Sequence, residues 1–238
     1  FASLPGYFYS TSSDGIYVHL YNDSELNWRL ENGTGLKVTQ KTNYPWDGRV
    51  DITVAPAQPS DFTFYLRIPG WADGAQVSVN NKAIPGAKPG QYLPIHRKWS
   101  SGDLISLHME MPPQVSQANP RVIYDAGRVA VQRGPLVYCL EELDQPQGVS
   151  LINVALDLGD TPSNKFQSEL QRDVLGGIVV LHHTGRASEN DASASTLYSD
   201  YKGIQMKSRQ VPLTFIPYYA WANRQATSMQ VWTPFYKA

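Results

Sequence analysis

Residues 61–69 read DFTFYLRIP, and this stretch decides the fold class. Apolar side chains occupy every second position: Phe62, Phe64, Leu66 and Ile68. Because successive side chains of a β-strand point to opposite faces, this period of two predicts a strand with one buried face and one face in water. Strands of this kind are typical of antiparallel sheets.

The same period of two recurs on both sides of this stretch, in residues 16–21, 36–41, 49–55, 75–79 and 105–111. Asn80 and Asn81 follow one of these segments and predict a tight hairpin turn, because asparagine tolerates positive φ angles. A sandwich of two sheets hides the apolar faces of such strands. The sequence therefore predicts an all-β fold of two consecutive antiparallel β-sandwich domains, jelly-roll-like in type.

A break in the pattern lies between residues 110 and 120, where Pro112, Pro113 and Pro120 cluster. Proline cannot donate to a β-ladder, so the segment suits a linker or a crossing at a sheet edge. We place the boundary between the two domains here. Beyond it the β pattern resumes, and two polar stretches, 159–168 and 183–200, are predicted to be loops.

The first eight residues carry the one helical pattern in the chain. Phe1, Leu4 and Phe8 have the spacing of a helix face, whereas Pro5 and Gly6 are residues that end helices. A short remnant of a helix is therefore predicted before the first strand.

Composition excludes several classes of protein. The chain has 238 residues, 42% of them hydrophobic and 17% charged, with a formal net charge of −1. This balance gives no basic surface for nucleic acid or for an anionic membrane, and no apolar run has the length of a spanning helix. The single cysteine excludes an internal disulfide and a multi-cysteine metal site.

No set of residues in the chain forms a recognisable catalytic or metal site. Glu141 and Glu142 are adjacent, so on a strand they point to opposite faces, and we interpret them as a solvated strand end. His182 and His183 diverge in the same way and do not form a metal pair. Cys139 occupies an inward strand position and is predicted to be a small core residue.

Five segments carry a resemblance to a known family: GYFYSTSSDGIYVHLY (6–21), LRIPGWADGAQVSVNNK (66–82), WSSGDLISLHMEMP (99–112), GRVAVQRGPLVYCLE (127–141) and IPYYAWANR (216–224). Together they resemble glycoside hydrolase family 127, whose members include bacterial β-L-arabinofuranosidases. The resemblance implies a catalytic (α/α)-barrel on the N-terminal side of two β-sandwich domains. It also implies a zinc site of cysteines and a glutamate in that barrel, with a zinc-bound thiolate as nucleophile.

None of the family's catalytic or zinc-binding positions falls in this sequence. The resemblance implies that residues 1–9 end the last barrel helix, and that 10–111 and 112–238 are the two sandwiches. We therefore expect a non-catalytic accessory region that braces the barrel of a glycosidase acting on plant-type glycans. No cofactor is expected in this chain, and zinc is expected in the barrel. The compartment stays open between the cytoplasm and the periplasm or exterior.

Two groups of aromatic residues are candidates for contact with the barrel. They are Tyr7, Phe8 and Tyr9 near the start, and Tyr218, Tyr219, Trp221 and Arg224 in the last family segment. Aromatic residues and arginine are enriched at the cores of protein interfaces. The alternative is that the second group fills the core of the second sandwich. An apolar surface freed from the barrel is also expected to favour self-association.

Two other functions compete with this expectation. A carbohydrate-binding module would bind glycan without the barrel, through exposed aromatic residues in a row or on a concave face. The tryptophans considered for such a row are Trp46, Trp71, Trp99, Trp221 and Trp232. A self-sufficient hydrolase is disfavoured, because the chain has no convergent carboxylates and no zinc ligands.

Overall fold

A computed structural model describes residues 2–159, 166–189 and 207–236. The chain divides into two units, Phe1–Met111 and Pro112–Ala238. Strands dominate both units, and the described residues contain no α-helix. The predicted all-β class is therefore confirmed.

Short 3-10 helices connect some of the strands. They are Leu4–Tyr7, Ile123–Asp125, Glu142–Asp144, Leu151–Asn153 and Tyr218–Ala220. The predicted helical remnant near the start is thus a single four-residue 3-10 helix. Across the described ranges no helix has both the length and the apolar character needed to cross a membrane.

The first unit consists of two sheets. Its strands are β1 (Tyr9–Ser12), β2 (Gly15–Val18), β3 (Ser24–Arg29), β4 (Gly35–Thr42), β5 (Arg49–Pro56), β6 (Ser60–Arg67), β7 (Gln76–Val79), β8 (Lys82–Ile84), β9 (Tyr92–Trp99) and β10 (Asp103–His108). One sheet has four strands in the order β1-β2-β6-β9, and the other has six in the order β3-β4-β5-β10-β7-β8. Neighbouring strands are antiparallel except β2 and β6, which are parallel.

A single hydrophobic core joins the two sheets of the first unit. Phe64 and Leu66 of β6 belong to the same buried cluster as Ile52 and Val54 of β5. The alternation of side chains along β5 and β6 produces this shared core, because every second side chain of each strand faces the opposite sheet. Trp99 is fully buried there, and its indole Nε1 donates to the Phe62 carbonyl at 3.0 Å.

The predicted Asn80-Asn81 turn joins β7 to β8, and both residues have positive φ angles, 50° and 64°. Asn80 Nδ2 donates to the Asp103 carboxylate at 2.7 Å, and the Ser100 N–H donates to it at 2.9 Å. Burial opposes ionisation of this carboxyl group, but these hydrogen bonds and Arg97 lower the pKa of Asp103 below its usual value. The carboxylate therefore fastens the turn to the strand beside it.

Two glycines allow strands of the first unit to approach closely. A Cβ atom at Gly15 would lie 2.0 Å from the Thr63 carbonyl oxygen, and one at Gly48 would lie 1.8 Å from the Met109 carbonyl oxygen. No side chain fits at these distances. Gly15 thus sets the close pairing of the β1–β2 hairpin with β6.

The second unit contains one extended sheet. Its strands are β11 (Pro113–Gln117), β12 (Arg128–Arg133), β13 (Leu136–Glu141), β14 (Val154–Asp157), β15 (Gln167–Gln171), β16 (Ile178–Glu189), β17 (Lys207–Pro217), β18 (Met229–Gln230) and β19 (Thr233–Tyr236). The strand order is β11-β12-β19-β14-β16-β17-β13-β18, with β15 paired to β16. β14 and β19 are parallel, and the other pairs are antiparallel.

This sheet closes on itself. β12 and β13 also pair with each other, so β12, β19, β14, β16, β17 and β13 form a ring of six strands. Side chains such as Tyr138, Leu156 and Phe215 are fully buried. A ring buries one face of each strand without a second sheet, a feature that alternation along single strands does not predict.

The proline cluster lies at the start of the second unit. β11 begins at Pro113, and among the described strands it pairs with β12 alone, so it is an edge strand. An edge position accommodates proline, because one side of the strand makes no ladder hydrogen bonds.

The loop predicted for residues 183–200 is wrong in its first part. β16 continues to Glu189 and pairs with β17 along its length. Buried Gly185 and Ala187 alternate there with exposed Thr184 and Arg186, so a polar composition concealed a strand with one buried face. The remainder of that prediction, from residue 190, lies outside the described residues, as do residues 160–165 of the polar stretch 159–168. The end of that stretch is not a loop, because β15 begins at Gln167.

Candidate functional site

The segment of residues 218–224, here called the aromatic loop, follows β17 in the second unit. Tyr218, Tyr219 and Trp221 are exposed to 46%, 53% and 37% rather than packed into the core of this unit. The rings of Tyr218 and Trp221 are nearly parallel, with centroids 6.4 Å apart. Trp221 Nε1 donates to the Thr227 carbonyl at 3.0 Å. Aromatic surface is therefore presented to solvent on an ordered loop.

The pairing of β13 determines where the aromatic loop lies. β17 ends beside β13, with Pro217 opposite Tyr138, and β18 resumes beside the same strand, with Met229 opposite Glu141. The intervening chain must therefore arch over the end of β13. Glu141 is the last residue of that strand and lies beneath the arch.

A buried carboxylate holds the loop in place. Glu141 is 0% exposed, its Oε1 accepts the Ala222 N–H at 3.1 Å, and its Oε2 is paired with Arg224. Arg224 also donates from Nη1 and Nη2 to the two oxygens of Asp144, each at 2.6 Å. We call Glu141, Asp144 and Arg224 the clamp. The interpretation of Glu141 as a solvated strand end is therefore wrong, whereas its neighbour Glu142 is exposed.

The electrostatics of the clamp favour its charged form. Hydrogen bonds to Asp144 and then to Glu141 raise the pKa of Arg224 above its usual range, against the opposing effect of burial. A buried charge is tolerated when it is paired and hydrogen-bonded, and the bidentate contact with Asp144 is the strong form of such a pair. Ala222 has a φ of 60°, which is unfavourable for a residue with a side chain. The Glu141 carboxylate stabilises this conformation by accepting its N–H.

The three candidates near the start of the chain differ in their surroundings. Tyr7 is 65% exposed, while Phe8 and Tyr9 are half-buried. The Tyr9 hydroxyl is within 2.9 Å of Ser24 Oγ and accepts from Gln40 Nε2 at 2.8 Å, and burial raises the pKa of Tyr9. Tyr9 is thus hydrogen-bonded within the first unit, and Tyr7 is the most exposed of the three.

The residues that could bind zinc do not fit that role. Cys139 is fully buried, and burial, followed by the charges of Glu141 and Asp144, raises the pKa of its thiol to about 12. Zinc binds the thiolate, so a thiol held in this form is a poor ligand. Within the described ranges, no group of three or more His, Cys, Asp or Glu side chains is arranged to hold a metal ion.

The two adjacent histidines diverge as expected for strand neighbours. His182 Nε2 lies 2.8 Å from Glu169 Oε2 on the outer face of β16. His183 is buried, and its ring stacks on Phe166 with centroids 4.5 Å apart.

Sequence reasoning missed two features. No local signal pairs Glu141 with Arg224, because the two residues are 83 positions apart. Trp28 was absent from the row of tryptophans considered, although it is 46% exposed. The alternation of Leu26, Trp28 and Leu30 is the signal that could have placed it on a strand face.

Comparison with known proteins assigns both units to one family. The model of the middle domain of family 127 β-L-arabinofuranosidases matches residues 15–111, and that of the family 127 C-terminal domain matches residues 113–234. This chain belongs to glycoside hydrolase family 127. The resemblance found in the sequence is therefore confirmed.

The family 127 relatives are longer proteins. A non-reducing end β-L-arabinofuranosidase from Bifidobacterium longum subsp. longum is 36% identical over 236 residues, which are 97% of this chain and 35% of that protein. A crystal structure of a family 127 β-L-arabinofuranosidase from Geobacillus stearothermophilus T6 is 39% identical with a TM-score of 0.87, covering 99% of this chain and 36% of the other. A third relative, a solved structure of a family 127 β-arabinofuranosidase, is 34% identical with a TM-score of 0.85, and the match covers 98% of this chain and 37% of the other. The chain spans about a third of the length of these relatives.

Proposed function

We propose that this chain is the non-catalytic accessory region of a bacterial glycoside hydrolase and that it braces a catalytic (α/α)-barrel. In this proposal residues 1–9 end the last barrel helix, and residues 10–111 and 112–238 are the two accessory domains. Membership of family 127 supports the proposal, as does the coverage of about a third of each relative. The activity of the whole protein is proposed to be that of a β-L-arabinofuranosidase acting on plant-type glycans.

The observation that carries the bracing role is the clamped aromatic loop. Tyr218, Tyr219 and Trp221 are exposed, and the pairing of Arg224 with the buried Glu141 carboxylate fixes the loop that bears them. A surface that is already ordered loses little conformational entropy when it binds a partner. Tyrosine, tryptophan and arginine are also the residues that dominate binding energy at interfaces. We propose two separate contacts with the barrel, one through the aromatic loop of the second unit and one through Tyr7, Phe8 and Tyr9 of the first.

A binding experiment tests this surface. The barrel encoded by the same gene is produced as a separate polypeptide, and its affinity for the purified chain is measured by isothermal titration calorimetry. Trp221→Ala and Tyr219→Ala should each weaken binding by about tenfold or more, since truncation of an interface anchor typically costs about 2 kcal/mol. Tyr124→Ala is the matched control, because Tyr124 is 87% exposed and lies outside the loop. Equal affinities for all variants would contradict the proposal.

The non-catalytic assignment has its own test. The purified chain is incubated with aryl β-L-arabinofuranoside and with other aryl glycosides, with zinc present, and no turnover above the blank is expected. Turnover that Cys139→Ser or Glu141→Gln abolishes would overturn the assignment.

A further inference from the structure

Trp28 occupies an unusual position for its size. It stands opposite Leu36 in the β3–β4 pair, and Leu36 is buried in the core of the first unit. Leu26 and Leu30, two positions away on either side, pack against that core. Trp28 shares their face of the strand, yet 46% of it is exposed. A large apolar side chain on an inward-facing position is normally covered.

Trp28 lies at the edge of its sheet. β3 is the edge strand of the six-stranded sheet, and β1, the edge strand of the four-stranded sheet, meets it through the Tyr9 hydroxyl, which lies 2.9 Å from Ser24 Oγ. Ser24 begins β3, and Trp28 lies four residues further along the strand.

A cleft of about 780 Å³ opens beside Trp28, within the first unit. One wall comes from the β1–β2 turn and β6, with Asp14 and Asp61, and the other from the segment around Trp28, with Glu31 and Asn32. Its volume lies in the range of about 300–1,000 Å³ found for small-molecule sites. The lining thus combines apolar side chains such as Trp28 and Leu30 with the carboxylates and the amide of these two walls.

Asp14 is a pre-oriented hydrogen-bond acceptor in this cleft. Ser12 Oγ donates to it at 2.6 Å and the Tyr65 hydroxyl at 2.5 Å. These two hydrogen bonds lower the pKa of Asp14 below its usual value, so the group stays ionised at neutral pH. Gly15, which follows it, holds the turn against β6 because no side chain fits there.

The chemistry of the cleft selects its ligand. The carboxylates of Asp14, Glu31 and Asp61 outnumber the one guanidinium in the lining, that of Arg29, so phosphates and nucleic acids are disfavoured. An exposed indole offers a flat apolar face, and carboxylate and amide groups accept and donate hydrogen bonds. A neutral oligosaccharide matches both, since a sugar ring has one face of C–H groups and a rim of hydroxyls.

We propose that this cleft is a saccharide-binding site, with Trp28 as the stacking surface and the carboxylates of Asp14, Glu31 and Asp61 as acceptors for sugar hydroxyls. The site belongs to the first unit, whereas the clamp and the aromatic loop belong to the second, and it needs no catalytic barrel. It would hold a segment of a polysaccharide chain rather than cleave it. The neutral arabinose-containing chains on which the relatives' names indicate action are the first ligands to test.

Calorimetric titration of the full chain tests the proposal. The probes are neutral arabino-, xylo- and cello-oligosaccharides of four or more units, with polygalacturonate as an anionic comparison. We expect saturable binding of a neutral oligosaccharide, at least tenfold weaker for Trp28→Ala, and recovery of most of the affinity in Trp28→Tyr, which keeps an aromatic face. Glu31→Gln should weaken binding less than Trp28→Ala, and Tyr124→Ala should leave it unchanged.

The same experiment has clear contrary outcomes. No saturable binding of any neutral oligosaccharide at concentrations up to about 10 mM overturns the proposal. Undiminished binding by Trp28→Ala overturns it as well, and so does a preference for polygalacturonate. Equal thermal unfolding temperatures of the wild-type, Trp28→Ala and Trp28→Tyr chains show that differences in affinity come from binding and not from folding.

Discussion

Replacement of Arg224 by methionine should destabilise the second unit strongly, because among the described residues only the Ala222 N–H then remains as a donor to the buried Glu141 carboxylate. Removal of one partner of a buried ion pair typically costs about 3–5 kcal/mol. The Arg224 side chain is 27% exposed, so water reaches part of the clamp and the lower end of this range applies. We expect a loss of about 3 kcal/mol in the free energy of unfolding at pH 7.

Hydrogen exchange measured by mass spectrometry across a urea series resolves the two units in one sample. Peptides from β13 report the second unit, and peptides from β6 serve as an internal reference that Arg224→Met should not change. Addition of Glu141→Gln to Arg224→Met should recover at least half of the lost stability, because the fully buried charge is then removed and only Asp144, whose side chain is 14% exposed, still lacks its partner. Additive effects of the two substitutions would refute the reasoning.

Three further predictions concern stability and reactivity. Gly48→Ala should lower the free energy of unfolding of the first unit by about 1–3 kcal/mol in urea titrations, because its Cβ would lie 1.8 Å from the Met109 carbonyl oxygen. The control Gly35→Ala should change this free energy little, since the Ala57 Cβ is 4.0 Å away. Equal effects of the two substitutions would contradict the steric argument. Because its pKa is raised to about 12, Cys139 should resist a thiol-specific disulfide reagent at pH 8 in the folded chain and should react at once in urea. Rapid labelling of the folded chain would contradict this prediction. Because the pKa of Asp103 is lowered in the folded chain, its ionised carboxylate stabilises the first unit at pH values above the ordinary pKa of 3.8, and this stabilisation is lost as the pH falls. Asp103→Asn should therefore weaken the dependence of the free energy of unfolding on pH in the acid range. An unchanged dependence would exclude this role.

Sequence patterns are sufficient to predict those features of the fold that depend on residues close together in the chain. The alternation in 61–69 placed Phe64 and Leu66 in the core, and the Asn80-Asn81 pair gave its turn, because backbone geometry alone dictates both. The family resemblance then accounted for the whole chain, since several weak segments in a fixed order add up to a specific signal.

Features that depend on distant residues were beyond the sequence. Glu141 was interpreted as solvated because glutamate at a strand end usually is, and its partner Arg224 meets it through the pairing of three strands. The 46% exposure of Trp28 depends on the position of β3 at the edge of its sheet, which no segment of sequence records. The closure of the ring through β12 and β13 is likewise a property of the whole sheet.

The position of β19 has a consequence for synthesis on the ribosome. β19 follows all the other described strands in sequence, yet in the ring it lies between β12 and β14, antiparallel to the first and parallel to the second. Translation delivers β12 and β14 well before residues 233–236 leave the exit tunnel. Until then these two strands have unpaired backbone groups facing each other across a gap, which is the kind of edge that recruits other chains. The nascent second unit should therefore depend on chaperones until β19 is inserted, whereas the described strands of the first unit are complete by residue 108, so that this unit can fold during translation.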